Sequence, residues 1–350
     1  MQFDITLIPD DLNRMPDAAR RAEDLGAGGL WTSETAHNPF LALGLAAHAT
    51  RRVQLGTAAA IAFARSPMVT AQIAWDLAAQ SGGRFILGLG SQVKAHIPLR
   101  YGMTWSTPVP RLREAIEAIR AIWKSFQTGA PLRYRGEYYR FGLLTPFFNP
   151  GPIDHPNIPI FITAVNPGML ALAGEVCEGC HVHPFHTASY LRDVIRPRIA
   201  AGAASAGRTL ADLQLSCAVF AVTGMNGEAR RESADLARTQ IAFYASTPSY
   251  RRVLDHHGWS DLQPRLNDLA RAGQWADMKS LISDEMLKAF AIVAEPDELP
   301  HAALERYSGL LDRIGYYLPF PTENSAPDAL WRHSARIMAE AATPPKGTER

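Results

Sequence analysis

Residue types that move protons or hold anions gather in a few short segments of the 350-residue chain. SETAHNPF carries Glu34 and His37, and SQVKAHIPLRYG carries Ser91, Gln92, Lys94, His96 and Arg100. CEGCHVHPFH carries Cys177, Cys180, His181, His183 and His186. A carboxylate, imidazole or amine at a site mouth serves as general acid or base, so Glu34, His37, Lys94 and His96 are the catalytic candidates. The plainer alternative makes Glu34 an acid at a helix N-terminus and His37 a satisfied histidine. Arg65, just before Ser66 and Pro67 at a helix start, reads as a solvated residue, and His256 and His257 as surface or lid residues.

ITAVNPGMLALAGE is the phosphate candidate, because a strand ends in Asn-Pro-Gly and a helix begins. Unpaired N–H groups and a positive dipole end would then face outward. A bare strand-to-helix turn gives the same pattern. FILGLGSQ lacks the third glycine of a dinucleotide fingerprint; Gly88 and Gly90 serve better to curve a strand or admit a flat ring to the backbone. CEGCHVH has metal-ligand residue types but not metal-ligand geometry. If 179–183 is a strand, Cys180 faces away from His181 and His183, and no metal is expected.

These residues need a scaffold, and the chain supplies alternating units. Strands are expected at Phe3–Ile8, Gly29–Ser33, Val53–Ala58, Phe85–Gly90, Ile158–Ala164, Gly179–His183, Leu213–Thr223 and Arg313–Leu318. Helical patterns lie between them, clearest at 108–126, where Leu112, Ala115, Ile116, Ile119, Ile122, Trp123 and Phe126 make one apolar face. Eight such units predict a (β/α)₈ barrel over 1–341 as a single domain, with a disordered tail at 342–350. Insertions are expected near 127–157, as a hairpin plus loop, and near 248–288, as extra helices. In such a barrel the polar residues just past each strand form the reactive face. Phe40, Phe63, Trp105, Phe147, Phe148 and Tyr316 are expected there, pointing to a hydrophobic organic substrate.

Composition narrows the classes. The 35 basic and 34 acidic side chains nearly cancel, which argues against a nucleic-acid partner. No apolar run reaches the roughly 20 residues of a membrane span, and the N-terminus has no leader pattern, so a cytoplasmic protein without a membrane partner is expected. Three cysteines cannot all pair within one chain, and free thiols are the simpler reading. A metal-dependent barrel hydrolase would need ligands such as HxH on the first strand, and FDITLIP has none. A cofactor-binding protein without activity is separable only by assay.

Over most of residues 1–320 the sequence resembles the luciferase-like flavin and deazaflavin oxidoreductases. RRVQLGTAAAIAFARSPMVTAQIAWDLAAQSGGRFILGLGSQ is similar to that family's third strand, helix, SGGR turn and fourth strand. IPIFITAVNPGMLALAGEVCEGCHVHP resembles its fifth strand, phosphate turn and sixth strand, and GEYYRF its preceding hairpin. WTSETAHNPF, AFARSPM, GSQVKAHIPLRYGM and TPFFNPGP are similar to an F420-dependent subgroup. The resemblance implies a deazaflavin F420, with FMN as the alternative, whose ring lies against a non-proline cis peptide or bulge at Ala58 and Ala59. It implies a phosphate held by the backbone of Val165, Asn166, Pro167, Gly168 and Met169, and a groove lined by Val182, His183 and Pro184. Ser91 and Gln92, just past strand 4, belong with these cofactor contacts. With F420 the chain would be a hydride-transferring reductase or dehydrogenase; with FMN, a two-component monooxygenase. The superfamily also implies a homodimer. One departure stands out: the family's sugar-phosphate dehydrogenases carry Asp-His after strand 2, where this chain has Glu34 and Thr35, leaving His37 either to take over or to lie out of reach.

Overall fold

Segments such as FILGLG and GCHV offer water no polar face, and each is buried along its whole length. Strands covered on both sides have this composition, which is the habit of parallel sheets rather than of half-exposed ones. In the computed structural model, which describes residues 1–8, 10–318 and 328–342, eight of them close on themselves. The barrel strands are β1 (Gln2–Leu7), β2 (Gly29–Thr32), β3 (Gln54–Thr57), β4 (Phe85–Gly90), β5 (Ile160–Ala164), β6 (Gly179–Val182), β7 (Gln214–Val222) and β8 (Arg313–Tyr317). Each pairs in parallel with the next, and β8 returns to β1. This is the expected (β/α)₈ barrel. Residues 343–350 of the expected tail, and Pro319 and Phe320 of the GYYLPF run, lie outside the described residues.

Strand alternation sorts the interior. At the N-terminal end of the barrel, Arg313 donates through Nε to Asp4 Oδ2 (2.8 Å) and through Nη2 to Asp4 Oδ1 (2.9 Å), with both side chains buried. Trp31 Nε1 donates to the same Asp4 Oδ2 at 2.8 Å, so the carboxylate accepts three hydrogen bonds. The pair fits because β2 has no side chain beneath it: a Cβ on Gly29 would stand 2.4 Å from Arg313 Nη2. One layer higher, Trp31, Ile86 and Phe161 fill the lumen, and His181 packs edge-on against Trp31 at 4.7 Å. Gly56 is required here, since its Cβ would lie 2.2 Å from the Trp31 ring.

The outer helices follow their strands. Among them α1 (Met15–Asp24), α2 (Pro39–Ala49), α3 (Pro67–Ser81), α4 (Pro108–Thr128) and α5 (Pro167–Val176) each carry proline in the first turn, where a missing N–H costs nothing. The apolar face expected of α4 is buried, each large side chain contributing about 1.5–3 kcal/mol. The 127–157 segment contains the expected hairpin, Tyr134–Arg135 against Arg140–Phe141. The second insertion contains helices Arg251–His256, Leu262–Arg271, Trp275–Met278 and Asp284–Phe290. It ends in an unforeseen strand, Ala291–Val293, that pairs with β7. Among the described residues no helix is long and apolar enough to cross a membrane.

Candidate active site

At the C-terminal end of β3 the chain makes a ledge. The Ala58–Ala59 peptide is cis, and both carbonyls are tied toward the β2 loop: Ser33 Oγ donates to Ala58 O (2.7 Å) and Glu34 N–H to Ala59 O (3.3 Å). The chain then rejoins the sheet through Ala60 and Ile61, which pair with Leu89 and Gly90 of β4. Glu34 closes the turn. Its Oε2 accepts from Ile61 N–H (2.7 Å) and Arg65 Nη1 (3.0 Å), and its Oε1 from Arg65 Nη2 (2.5 Å). Arg65 also donates to Ile61 O at 3.2 Å, so acid and base together clamp residues 59–65.

This corrects the expectation of a solvated Arg65. Arg65 is not solvated; its side chain is 14% exposed and pairs bidentately with Glu34, which is 7% exposed. Glu34 has three of its roughly four lone-pair directions occupied, so its position is that of a clamp holding the ledge rather than of a free base. His37, Lys94 and His96 are exposed, His37 and Lys94 in loops and His96 at the start of the short helix His96–Tyr101, and among the described residues no hydrogen bond joins any of them to Glu34.

Next to the ledge, Gly90 leaves space. A Cβ there would stand 3.6 Å from Ala59 Cβ and 2.8 Å from Thr163 Oγ1, filling the gap between β3 and β5. Half-buried Ser91 and Gln92 follow, and Gln92 turns the chain at φ +58° with its own Oε1 accepting from Val93 N–H (2.8 Å). One strand further, α5 begins at Asn166–Pro167–Gly168. The Asn166 side chain makes no capping bond, so the first amides, those of Gly168 and Met169, have no partner from within the helix. Asn166 and Gly168 are exposed, and Val165 and Pro167 half-buried. The positive end of a helix dipole with uncapped amides is a ready anion seat.

The other half of the mouth is aromatic. His183 stacks on Tyr250 at 4.6 Å and meets Tyr244 edge-on at 4.7 Å. Phe185 and Phe220 border Tyr244, and Tyr317 meets Phe220 edge-on at 5.0 Å. Tyr244 lies in the last turn of the helix before the second insertion and Tyr250 at that insertion's start, a pairing that sequence periodicity does not encode. The aromatic residues expected at the mouth lie elsewhere. Phe40, Phe63 and Tyr316 belong to the core between strands and helices, and Phe147 and Phe148 are exposed. Trp105 packs edge-on against buried Phe63. Val182 is 3% exposed in that same core, because its neighbours His181 and His183 take the inward face. Pro184 is half-buried beside it. Two grooves of about 540 and 500 Å³ lie away from this mouth, one beside Phe147 and Phe148 on α3, the other at the foot of β5.

No group of three or more His, Cys, Asp or Glu among the described residues is arranged for a metal ion. Cys177, Cys180 and Cys217 are buried free thiols, and burial pushes Cys180 up to about 12. Burial also pushes three histidines down: His181 and His183 to about 3, with Arg313 and His186 respectively adding to the effect, and His186 to about 4. These imidazoles fold in neutral, whereas the unfolded chain takes up protons near pH 6.5. Stability is therefore complete above about pH 6.5 and declines as pH falls toward the folded values, where the unfolded state binds more protons. Urea midpoints should fall steadily between pH 6.5 and about 4, and His186→Gln should flatten that slope. A midpoint constant over this range would contradict the buried neutral assignment.

Residues 2–313 match the family model described as luciferase-like monooxygenase. An uncharacterised protein of Mycobacterium tuberculosis is 44% identical over 307 residues, covering 88% of this chain and 90% of its own length. The 5,10-methylenetetrahydromethanopterin reductase of Archaeoglobus fulgidus is 31% identical over 309 residues, covering 85% of this chain and 88% of its own. Among solved structures, the coenzyme F420-dependent tetrahydromethanopterin reductase of Methanopyrus kandleri superposes with a TM-score of 0.80 at 22% identity, covering 98% and 99% of the two chains. The FMN-bound oxygenating constituent of 3,6-diketocamphane monooxygenase of Pseudomonas putida gives 0.64 at 18% identity, covering 97% of each. At these identities the structures speak for the fold.

Proposed function

The chain belongs to the luciferase-like monooxygenase family, and from that premise we propose that it is an F420-dependent oxidoreductase acting on an organic substrate. The observation that carries the reading is the joint presence of the Ala58–Ala59 ledge and the uncapped start of α5, two strands apart on the same mouth. A flat ring with a phosphate-bearing side chain fits these features. Gly90 keeps clear the space a Cβ would fill, and Gly168 puts no side chain over the amides. The likeness to a methylenetetrahydromethanopterin reductase over 85% of this chain, with the fold shared with a coenzyme F420-dependent tetrahydromethanopterin reductase, favours the deazaflavin over FMN.

In this reading Ala58 and Ala59 support one face of the ring, with Ser91 and Gln92 at its edge. The amides of Gly168 and Met169 take the phosphate, helped by the helix dipole. Val165, Asn166 and Pro167 shape that turn, and the backbone of Val182 and Pro184 continues the groove. When bound, the deazaflavin supplies a carbon that gives or takes hydride and reacts poorly with oxygen. The protein's share is placement: the Glu34–Arg65 clamp fixes the ledge, and the aromatic half of the mouth holds the substrate dry. Lys94, His96 and His37, exposed on the rim, are candidates only for meeting polar groups of a ligand as it enters.

The test is a reaction. Purified protein given reduced F420 and a panel of unsaturated carbonyl compounds without oxygen should regenerate the absorbance of oxidised coenzyme. Product carrying isotope from labelled dioxygen, formed only with reduced FMN, would overturn the proposal in favour of oxygenation.

A further inference from the structure

The aromatic half of the mouth has a hydrogen-bond direction. His183 Nδ1 accepts from the Phe185 N–H at 3.1 Å, and His183 Nε2 lies 3.1 Å from the Tyr250 hydroxyl. A neutral imidazole has one N–H, and a nitrogen that accepts a backbone hydrogen bond cannot carry it. The proton is therefore on Nε2, His183 donates to Tyr250, and the phenol keeps its own proton for another acceptor. The imidazole is held in place by its stack on Tyr250 and its edge contact with Tyr244, and is fixed at the end of β6. No charged side chain takes part in the ring contacts among His183, Tyr244, Tyr250, Phe185, Phe220 and Tyr317.

Position separates this cluster from the ledge. Ala58, Ala59 and Gly90 stand at the ends of β3 and β4, whereas Phe220 and Tyr317 belong to β7 and β8 across the barrel. Tyr244 and Tyr250 come from the segment after β7. The flat-ring seat and the aromatic cluster thus face each other over one mouth. A surplus donor among aromatic walls recognises an oxygen acceptor on a flat, unsaturated frame.

We infer that the Tyr250 hydroxyl, oriented by His183, is the donor that binds the oxygen of the substrate, and that the substrate is a planar carbonyl compound or its enolate- or phenolate-like anion. The inference rests on the proposed oxidoreductase reading for what happens to that oxygen, but not for its binding. Tyr250 is then a substrate-binding residue and His183 a positioning residue.

The probe is 4-nitrophenolate, whose absorbance reports both its binding and its ionisation, titrated into the full-length protein with and without F420. The wild type should bind the anion in preference to the neutral phenol. Tyr250→Phe, which keeps the ring and its stacking, should bind it about tenfold or more weakly, the size of losing a hydrogen bond to a charged acceptor. His183→Gln, with an amide donor in place of the ring, should fall between the two. Equal affinity of wild type and Tyr250→Phe would overturn the inference, as would displacement of the probe by F420, which would give this pocket to the coenzyme. Tyr250-dependent binding in a protein that takes no F420 would leave the inference standing and remove the coenzyme reading instead.

Discussion

Gly168→Glu is expected to weaken coenzyme binding at least about a hundredfold while leaving the fold intact. The position is exposed in the first turn of α5, and a Cβ there meets only Val109 Cγ2 at 3.4 Å, so the backbone accepts the change. A carboxylate near a helix N-terminus stabilises the helix by about 0.3–1 kcal/mol. On the proposed reading the same charge falls where the coenzyme phosphate would sit, where like charges brought together cost several kcal/mol, and about 2.7 kcal/mol is already a hundredfold. The change would be read as loss of F420 fluorescence perturbation in a protein whose urea midpoint is unchanged or slightly raised. Unaltered affinity would mean the phosphate does not sit on α5.

The second large effect belongs to stability. Asp4→Ala should cost about 3–5 kcal/mol, because it leaves the Arg313 guanidinium buried with neither of its carboxylate bonds and removes the acceptor of Trp31 Nε1. That is a large share of the roughly 5–15 kcal/mol that holds a typical domain together. Buried ion pairs are weak stabilisers compared with packed apolar side chains of similar volume. The double variant Asp4→Ala with Arg313→Met should therefore recover much of the loss. Urea unfolding of the three proteins decides: a single variant within about 1 kcal/mol of the parent, or a double variant no better than the single, would contradict the role given to this pair.

The barrel was legible because its strands are short apolar runs separated by amphipathic helices, and burial on both faces leaves that trace in composition. The strand Ala291–Val293 left none: three apolar residues directly after a helix read as its continuation. Helix His96–Tyr101 was hidden by Pro98 inside it and Gly102 at its end. The strand-to-helix turn that opens α5 was visible from Asn166–Pro167–Gly168 alone, since local backbone chemistry sets it. The Glu34–Arg65 clamp was not, because two residues 31 apart meet only once β2 and β3 are side by side. Tyr250 was beyond reach for a similar reason: its partner His183 lies 67 residues away, and the two meet only once β6, β7 and the helix after it are in place. Val182 could be placed from the sequence. The alternation that places His181 and His183 inward already sends Val182 to the outer core.

The Glu34–Arg65 pair also separates this mouth from one built on an acid–base dyad after strand 2. With the acid committed to the ledge, the donor we infer for the substrate oxygen is the Tyr250 hydroxyl. The chemistry then turns on what rests against Ala58 and Ala59, and titration of the purified protein with F420 and, separately, with FMN, followed by coenzyme fluorescence, tests that most directly. Saturable F420 binding at least about tenfold tighter than FMN binding is the predicted result, a gap of about 1.4 kcal/mol. Tighter binding of FMN, or no binding of either, would contradict it.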